Sequence, residues 1–347
     1  SCGVLDYVAA WYMKAAKYIQ GTKKKVAFVS TNSITMGEQT GILWNELFNE
    51  YYIKIHFAHR TFCWSSEARG KAAVHVVIVG FAAFDNENKV IFEYEDIKSE
   101  PHETQAENIN PYLVNYEDIV ILRRSTPISD VPLIRKGNQP TDGGNLLMSD
   151  EEKNQLLEKE PAAVKYVKSF MGAREFLHNQ KRWCLWLVNA SPSDIKSMPK
   201  VTERIKKVKE FREKSSAADT RKIASTPSLF REQNNPDSFI AIPEVSSERR
   251  KYIPMGFLSK EVIPSNKIQI IPNASQYHFG ILLSKMHMAW VKYTCGRLKS
   301  DLDYSAKIVY NNYPWPESPS EKQVSAVESA ADVVLDERAR HPGSSLA

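Results

Sequence analysis

Six consecutive residues, His59-Arg60-Thr61-Phe62-Cys63-Trp64, place two large aromatic rings in a polar connection between two strand-like runs. Large aromatic side chains that face water usually have something to pack on. A nucleic-acid base is one such partner, because enzymes that work on a base extrude it and stack it on aromatic or apolar side chains. The plainer alternative is that Phe62 and Trp64 cover an edge of their own domain. A second group follows the apolar run Lys25–Ser30: Ser30, Thr31, Asn32, Ser33 and Ile34, then Gly37, Glu38 and Gln39. Open α/β sheets bind ligands in such loops at the carboxyl ends of their strands. The same residue types also make an ordinary turn and cap the next helix, and both readings stand at this level. A third group is basic. Lys200, Arg204, Lys207 and Lys214 surround the apolar stripe Val201, Ile205, Val208 and Phe211, and a second donor cluster holds Arg231, Ser246, Ser247, Arg249, Arg250, Lys251 and Tyr252. Such groups contact phosphates and base edges, or simply form a solvated charged face.

Other chemistry lacks its residues. His56, His75, His178, His278 and His287 have no metal-ligand spacing, and Cys2, Cys63, Cys184 and Cys295 form no Cys-x-x-Cys pair, so no metal site is expected. There is no Gly-x-Gly-x-x-Gly and no Gly-Lys-Ser/Thr phosphate loop, which removes nucleotide binding of those two kinds. No acidic nuclease pattern and no Ser-His-Asp order stands out.

The elements that must position these groups follow from periodicity. Leu5, Val8, Ala9, Tyr12, Ala16 and Ile19 recur at helical spacing and Gly21 closes that helix. Lys25–Ser30 reads as a buried strand, Thr40–Phe48 as a helix, and Ile53–Ala58 and Ala73–Phe81 as strands able to pair as an antiparallel hairpin. Residues 95–115 are polar with Pro101 and Pro111 and read as a linker, and Ser149 with Glu152 forms a capping box for a helix to Lys159. Beyond it come an aromatic strand at Arg182–Val188, the helix Lys200–Lys214, strands at Phe239–Ile242 and Ile268–Ile271, a helix Gln276–Tyr293 capped by Ser275, and a last helix Ser320–Ala339. The order predicts a layered α/β unit followed by an α+β domain.

The 347 residues, 42% hydrophobic and 25% charged, suffice for two cores, and the longest apolar run, Ala72–Ala83, is broken by His75 and Gly80. That run is far short of the roughly 20 residues that span a bilayer. Scattered cysteines suit a reducing cytoplasm. The net charge of +5 is modest, but Lys196–Lys222 holds ten Lys or Arg against four Asp or Glu. The densest positive charge therefore lies in the second half, which favours a polyanionic partner.

Ordered segments then carry a resemblance. CGVLDYVAAWYMKA (2–15), VAFVSTNSI (26–34), GEQ (37–39), LW (43–44), HRTFCW (59–64), FMGAREF (170–176), WCLWL (183–187), SERRKYIP (247–254) and VYNNYPWP (309–316) together resemble the MmeI-like class of bacterial adenine-specific DNA methyltransferases. That class is often fused to a nuclease in restriction and modification systems. The resemblance implies that residues 1–95 form the latter half of a Rossmann-like methyltransferase sheet that uses S-adenosylmethionine. It further implies a connecting segment at 96–159, an α+β target-recognition domain at 160–316 and a helical end at 317–347. Double-stranded DNA is the implied partner, with Phe62 or Trp64 stacking on the flipped base, residues 30–39 near the active site, and Lys200, Arg204, Lys207, Arg231, Ser246, Arg249, Arg250 and Lys251 on DNA. The family's catalytic Asn-Pro-Pro-Phe/Tyr segment and its glycine-containing cofactor loop do not occur in this sequence. No catalytic residue is therefore assigned, and the chain is expected to be the carboxy-terminal part of an enzyme that works with its amino-terminal part or a separate catalytic subunit. Two rivals remain: a stand-alone DNA-specificity module, and an unrelated α/β enzyme for a small molecule.

Overall fold

Ala9, Tyr12, Ala16 and Ile19, spaced three and four residues apart, line one face of helix α1 (Tyr7–Ile19) and are all fully buried. They pack on a sheet in a computed structural model that describes residues 2–64, 74–96, 98–298 and 300–346. The strands are β1 (Lys25–Thr31), β2 (Lys54–Trp64), β3 (Val74–Ala82), β4 (Lys89–Glu93) and β5 (His102–Ala106), in the spatial order β1-β3-β2-β4-β5. β3 runs antiparallel to both β1 and β2, as the hairpin reading anticipated, whereas β2 and β4 are parallel. Helix α2 (Glu38–Asn49) adds Leu43, Trp44 and Leu47 to the same core.

That core is aromatic at its centre. The Tyr12 ring stacks on Phe81 at 5.5 Å, and its hydroxyl lies 3.0 Å from Ser30 Oγ. The Trp44 indole N–H donates to the Ile34 carbonyl at 2.8 Å. Buried hydroxyl and indole groups thus keep their hydrogen bonds while each ring contributes about 1.5–3 kcal/mol of burial.

Residues 59–64 are not loop: they continue β2, with Phe62 opposite Val76 and Trp64 opposite Val74. Polar residues and a break in the ladder at Arg60 and Thr61 interrupt the alternation that marks a strand. The rest of that connection, residues 65–73, lies outside the described residues. The stretch 95–115 is likewise not all linker, since β5 pairs with β4 through residues 102–106. As an edge strand exposed at four of its five positions, β5 has no apolar alternation to betray it.

The chain divides into two compact units that cut across its order. The first comprises residues 1–129, 247–249 and 289–314, and the second 130–246, 250–288 and 315–347. In the first, the returning segment adds a short hairpin, Gly296–Leu298 with Asp301–Asp303.

The second unit holds two small sheets. One orders the strands Gly256–Ser259, Ser238–Pro243, Ile268–Pro272 and Arg135–Lys136, and the other Val262–Pro264, Val167–Met171, Trp183–Leu185 and Leu147–Met148. The capping box at Ser149 and Glu152 is formed at the start of helix Asp150–Lys159, and the basic helix runs Pro199–Glu213. The helix expected over Gln276–Tyr293 is two, Gln276–Leu282 and Lys285–Thr294. The break is local: the Ser284 hydroxyl accepts from the His287 N–H at 3.1 Å and starts the second helix. Among the described residues no helix is long and apolar enough to cross a membrane.

Candidate nucleic-acid interface

In the first unit, the strand-to-helix loop is built on Asp6. Its carboxylate accepts from Ser33 Oγ at 2.6 Å and Gln39 Nε2 at 3.0 Å, while its own N–H donates to Gln39 Oε1 at 3.0 Å. The Ser33 and Gln39 hydrogen bonds hold the Asp6 carboxyl below its ordinary range. Thr31 Oγ1 lies 2.9 Å from Ser33 Oγ, and Asn32 Nδ2 donates to Thr61 Oγ1 at 3.4 Å, joining the loop to β2. Gly37 sits at φ +72° with its N–H on the Thr294 carbonyl at 3.2 Å, and a Cβ there would meet Gly296 Cα at 2.9 Å. Only glycine meets both demands. Glu38 pairs with Arg123 at 2.9 Å.

The aromatic residues of β2 form a ladder with β4 and the residue after it. His59 stacks on Phe92 with centroids 4.1 Å apart and planes at 7°, and its Nδ1 lies 2.8 Å from the Tyr94 hydroxyl. Burial lowers the His59 pKa and so favours the neutral imidazole. Phe62 stacks on Tyr94 at 5.1 Å and 19°. Trp64 is 44% exposed, its ring 6.3 Å from Phe62. One of the two candidate rings thus already has a face occupied by its own chain, and the other faces solvent at the strand end.

Beside this ladder opens a cleft of about 750 Å³ whose walls include Arg60, Thr61, Tyr94, Arg249, Lys292 and Tyr293. Arg60 donates to Glu93 Oε1 at 2.6 Å and lies 4.9 Å from the centre of the Tyr293 ring. Sequence reading overlooked Arg60, Tyr94 and Tyr293. They are separated by up to 233 residues, and no local pattern joins them.

The basic candidates of the second unit divide into committed and available groups. Lys200 and Lys207 both pair with Glu203, at 3.2 and 2.9 Å, on the exposed face of their helix. Arg204 is committed: it donates to the Asn145 carbonyl at 3.0 Å and pairs with Glu152 at 3.4 Å. Arg231 lies 3.7 Å from Glu232. Ser246 is buried, and Arg250 donates to the Leu346 carbonyl. Lys251 is exposed in this unit, and Arg249, also exposed, belongs to the first. The most deeply placed cation is Arg212, which sequence reading counted with the basic stretch: it is fully buried and gives five hydrogen bonds to main-chain carbonyls. Among the described residues no group of three or more His, Cys, Asp or Glu is placed to hold a metal ion.

A mixed sheet carrying an aromatic strand and a polar loop, followed by a unit with exposed cations, has the stacking surface and the charge that contact with a nucleic acid requires. Comparison with known proteins makes this specific. Residues 1–93 match the family described as MmeI, DNA-methyltransferase domain, and residues 115–317 match MmeI, target recognition domain. The chain belongs to the MmeI family of restriction-modification methyltransferases. It is 46% identical over 343 residues to DNA methyltransferase A of Bacillus subtilis (strain 168), covering 98% of this chain and 38% of that protein. It is also similar to the solved Type IIL restriction-modification enzyme MmeI in complex with DNA, at 52% identity and a TM-score of 0.89, over 99% of this chain and 46% of that one. The chain thus spans less than half the length of these relatives.

The methyl donor of such enzymes does not find an open set of partners in the loop after β1. In the loop, Asp6, Ser33 and Gln39 satisfy one another, and the Gly37 N–H is taken by Thr294. Mutually satisfied in this way, these loop groups do not fit a nucleoside cofactor.

Proposed function

We propose that the protein containing this chain methylates the N6 amino group of a flipped adenine in double-stranded DNA, with S-adenosylmethionine as donor, and that this chain supplies the base-holding strand and the sequence-reading unit. The observation that carries the reading is the order of the two family matches in one chain, joined to 52% identity with a relative solved in complex with DNA. Transfer to an exocyclic amine depends on positioning and polarising the nitrogen more than on a strong base. A neutral His59 and a ladder of rings suit that demand, because they offer stacking surface without a competing charge. In this reading Phe62 and Trp64 stand at the flipped base and residues 30–39 line its approach. Lys200, Lys207, Arg231, Arg249 and Lys251 meet DNA, while Arg204, Ser246 and Arg250 shape the surface that carries them. The domain division is 1–95 methyltransferase, 96–159 connection, 160–316 recognition and 317–347 terminal helix. The catalytic segment and the cofactor loop come from the remainder of the polypeptide or from a separate subunit, and the whole works in the bacterial cytoplasm.

Two measurements test this. Anisotropy titrations of the chain with a 30-base-pair duplex should show affinity that falls steeply with salt. Incubation of the full-length protein with DNA and labelled S-adenosylmethionine, followed by nucleoside analysis, should give N6-methyladenine. Label on cytosine refutes the adenine assignment, and affinity indifferent to salt refutes DNA as the partner.

A further inference from the structure

The ladder between β2 and β3 is interrupted where the aromatic strand matters most. His59 is opposite Ile78 and Phe62 opposite Val76, so Arg60 and Thr61 share the space of Val77 as a bulge, and the pairing of β2 with β4 ends at His59. A bulge re-aims the side chains beyond it, here Phe62 and Trp64, and leaves its own residues without ladder support. Side chains replace that support. Thr61 accepts from Asn32 at 3.4 Å. Arg60 is held from two sides, by the Glu93 carboxylate at 2.6 Å and by the Tyr293 ring at 4.9 Å. Tyr293 lies within residues 115–317, the stretch that matches the recognition family, yet it packs in the first unit. The same returning segment holds Gly37 through Thr294 and Gly296.

We propose that Arg60 is a positioning residue: clamped between Glu93 and Tyr293, it fixes the bulge that aims Phe62 and Trp64, and so ties the base-holding strand to the recognition polypeptide. The proposal rests on the functional reading above for what the two rings hold, but its structural half does not need DNA. A guanidinium suits the task because its plane can lie against a ring while its N–H groups engage a carboxylate, which a lysine ammonium does less well.

The test compares the chain with Arg60→Met, Arg60→Lys, Tyr293→Leu and Tyr293→Phe variants. Hydrogen exchange of the peptide spanning residues 57–64 is read without DNA. The fluorescence of a 25-base-pair duplex with 2-aminopurine opposite an abasic site is read beside the duplex Kd. Arg60→Met, which loses both the cation–π contact and the ion pair with Glu93, should speed exchange in that peptide by about tenfold, and Tyr293→Leu, which keeps the ion pair, by several-fold. They should also reduce the 2-aminopurine signal change while leaving Kd within about twofold, because the clamp makes no phosphate contact. Tyr293→Phe, which keeps the ring face but loses the hydroxyl that hydrogen-bonds Arg60, should fall between the parent and Tyr293→Leu, and Arg60→Lys should fall between the parent and Arg60→Met. Unchanged exchange in the first two variants overturns the proposal, as does a 2-aminopurine signal that falls only in step with Kd. Equal damage from Tyr293→Phe and Tyr293→Leu overturns the role of the ring. If the parent chain binds no duplex, the functional reading fails and the exchange data alone decide the clamp. If Arg60→Met does not fold, Arg60→Lys and Tyr293→Leu decide it.

Discussion

Replacing Arg212 by methionine removes a buried charge whose five hydrogen bonds, 2.7–2.9 Å long, gather the carbonyls of Pro140, Thr141, Ile223, Thr226 and Leu229 around one guanidinium. All five acceptors belong to the second unit, four in loops and Ile223 in the short 3-10 helix Ile223–Ser225, so the residue staples the segment before the helix Asp150–Lys159 to the stretch after the basic helix. Each carbonyl left without a donor in a closed site costs about 1–3 kcal/mol, which alone sums to roughly 5–15 kcal/mol. Methionine also removes the cost of burying the charge, and carbonyls with a second lone pair tolerate loss better than N–H groups, so a net loss of about 4 kcal/mol is expected. With a urea dependence of about 2 kcal/mol per molar for a unit of this size, the unfolding midpoint should fall by about 2 M. The assay is urea unfolding followed by far-ultraviolet circular dichroism. Arg212→Lys, with three donors in place of five, should fall between parent and Met. A midpoint shift below about 0.5 M for Arg212→Met would refute the claim that these bonds hold the unit together.

Three further outcomes are expected. Lys251→Ala should lower the slope of log Kd against log salt by about one, whereas Arg204→Ala should leave that slope intact and instead cost about 1–2 kcal/mol of stability, because Arg204 is spent on the Asn145 carbonyl and Glu152. Trp64→Ala should abolish the 2-aminopurine response without lowering the urea midpoint; Phe62→Ala, which strips a stacked partner from Tyr94, should lower the midpoint by a measurable amount. A loss of midpoint in Trp64→Ala would place that ring in the core. Burial pushes the His287 pKa down to about 4 from 6.5, so the unfolded chain binds the proton more readily than the folded one. Its contribution to stability is complete above pH 6.5 and is lost as pH falls toward 4, and His287→Leu should flatten the pH dependence of the melting temperature across that window.

Several elements were legible because a local rule decides them. The apolar spacing of α1, the Val- and Phe-rich β1, and the box formed by Ser149 and Glu152 appear where periodicity and capping put them. The aromatic strand was misread as loop because its inner face and its polar face alternate around a bulge, which breaks the period. β5 was misread as linker because an edge strand buries almost nothing. The break at Ser284 was missed because the residues on both sides continue a helical pattern, and a single hydroxyl accepting one N–H decides the matter. Among the candidate residues, the Ser30 to Gln39 loop and the rings of Phe62 and Trp64 stand out in the sequence by type and spacing. Arg60 was passed over since its partners are 33 and 233 residues away.

The sequence by itself determined the two-part order of the chain, its family through long ordered segments, and the residue types available for stacking and for phosphate. Those properties depend on near neighbours and on identity. Tertiary structure alone decided which cations are free, because Arg204, Arg212 and Lys251 look alike in one dimension. It also decided that residues 289–314 return to the first unit. Desolvation and main-chain carbonyls brought together from distant loops separate a structural arginine from an exposed lysine, and both are properties of packing.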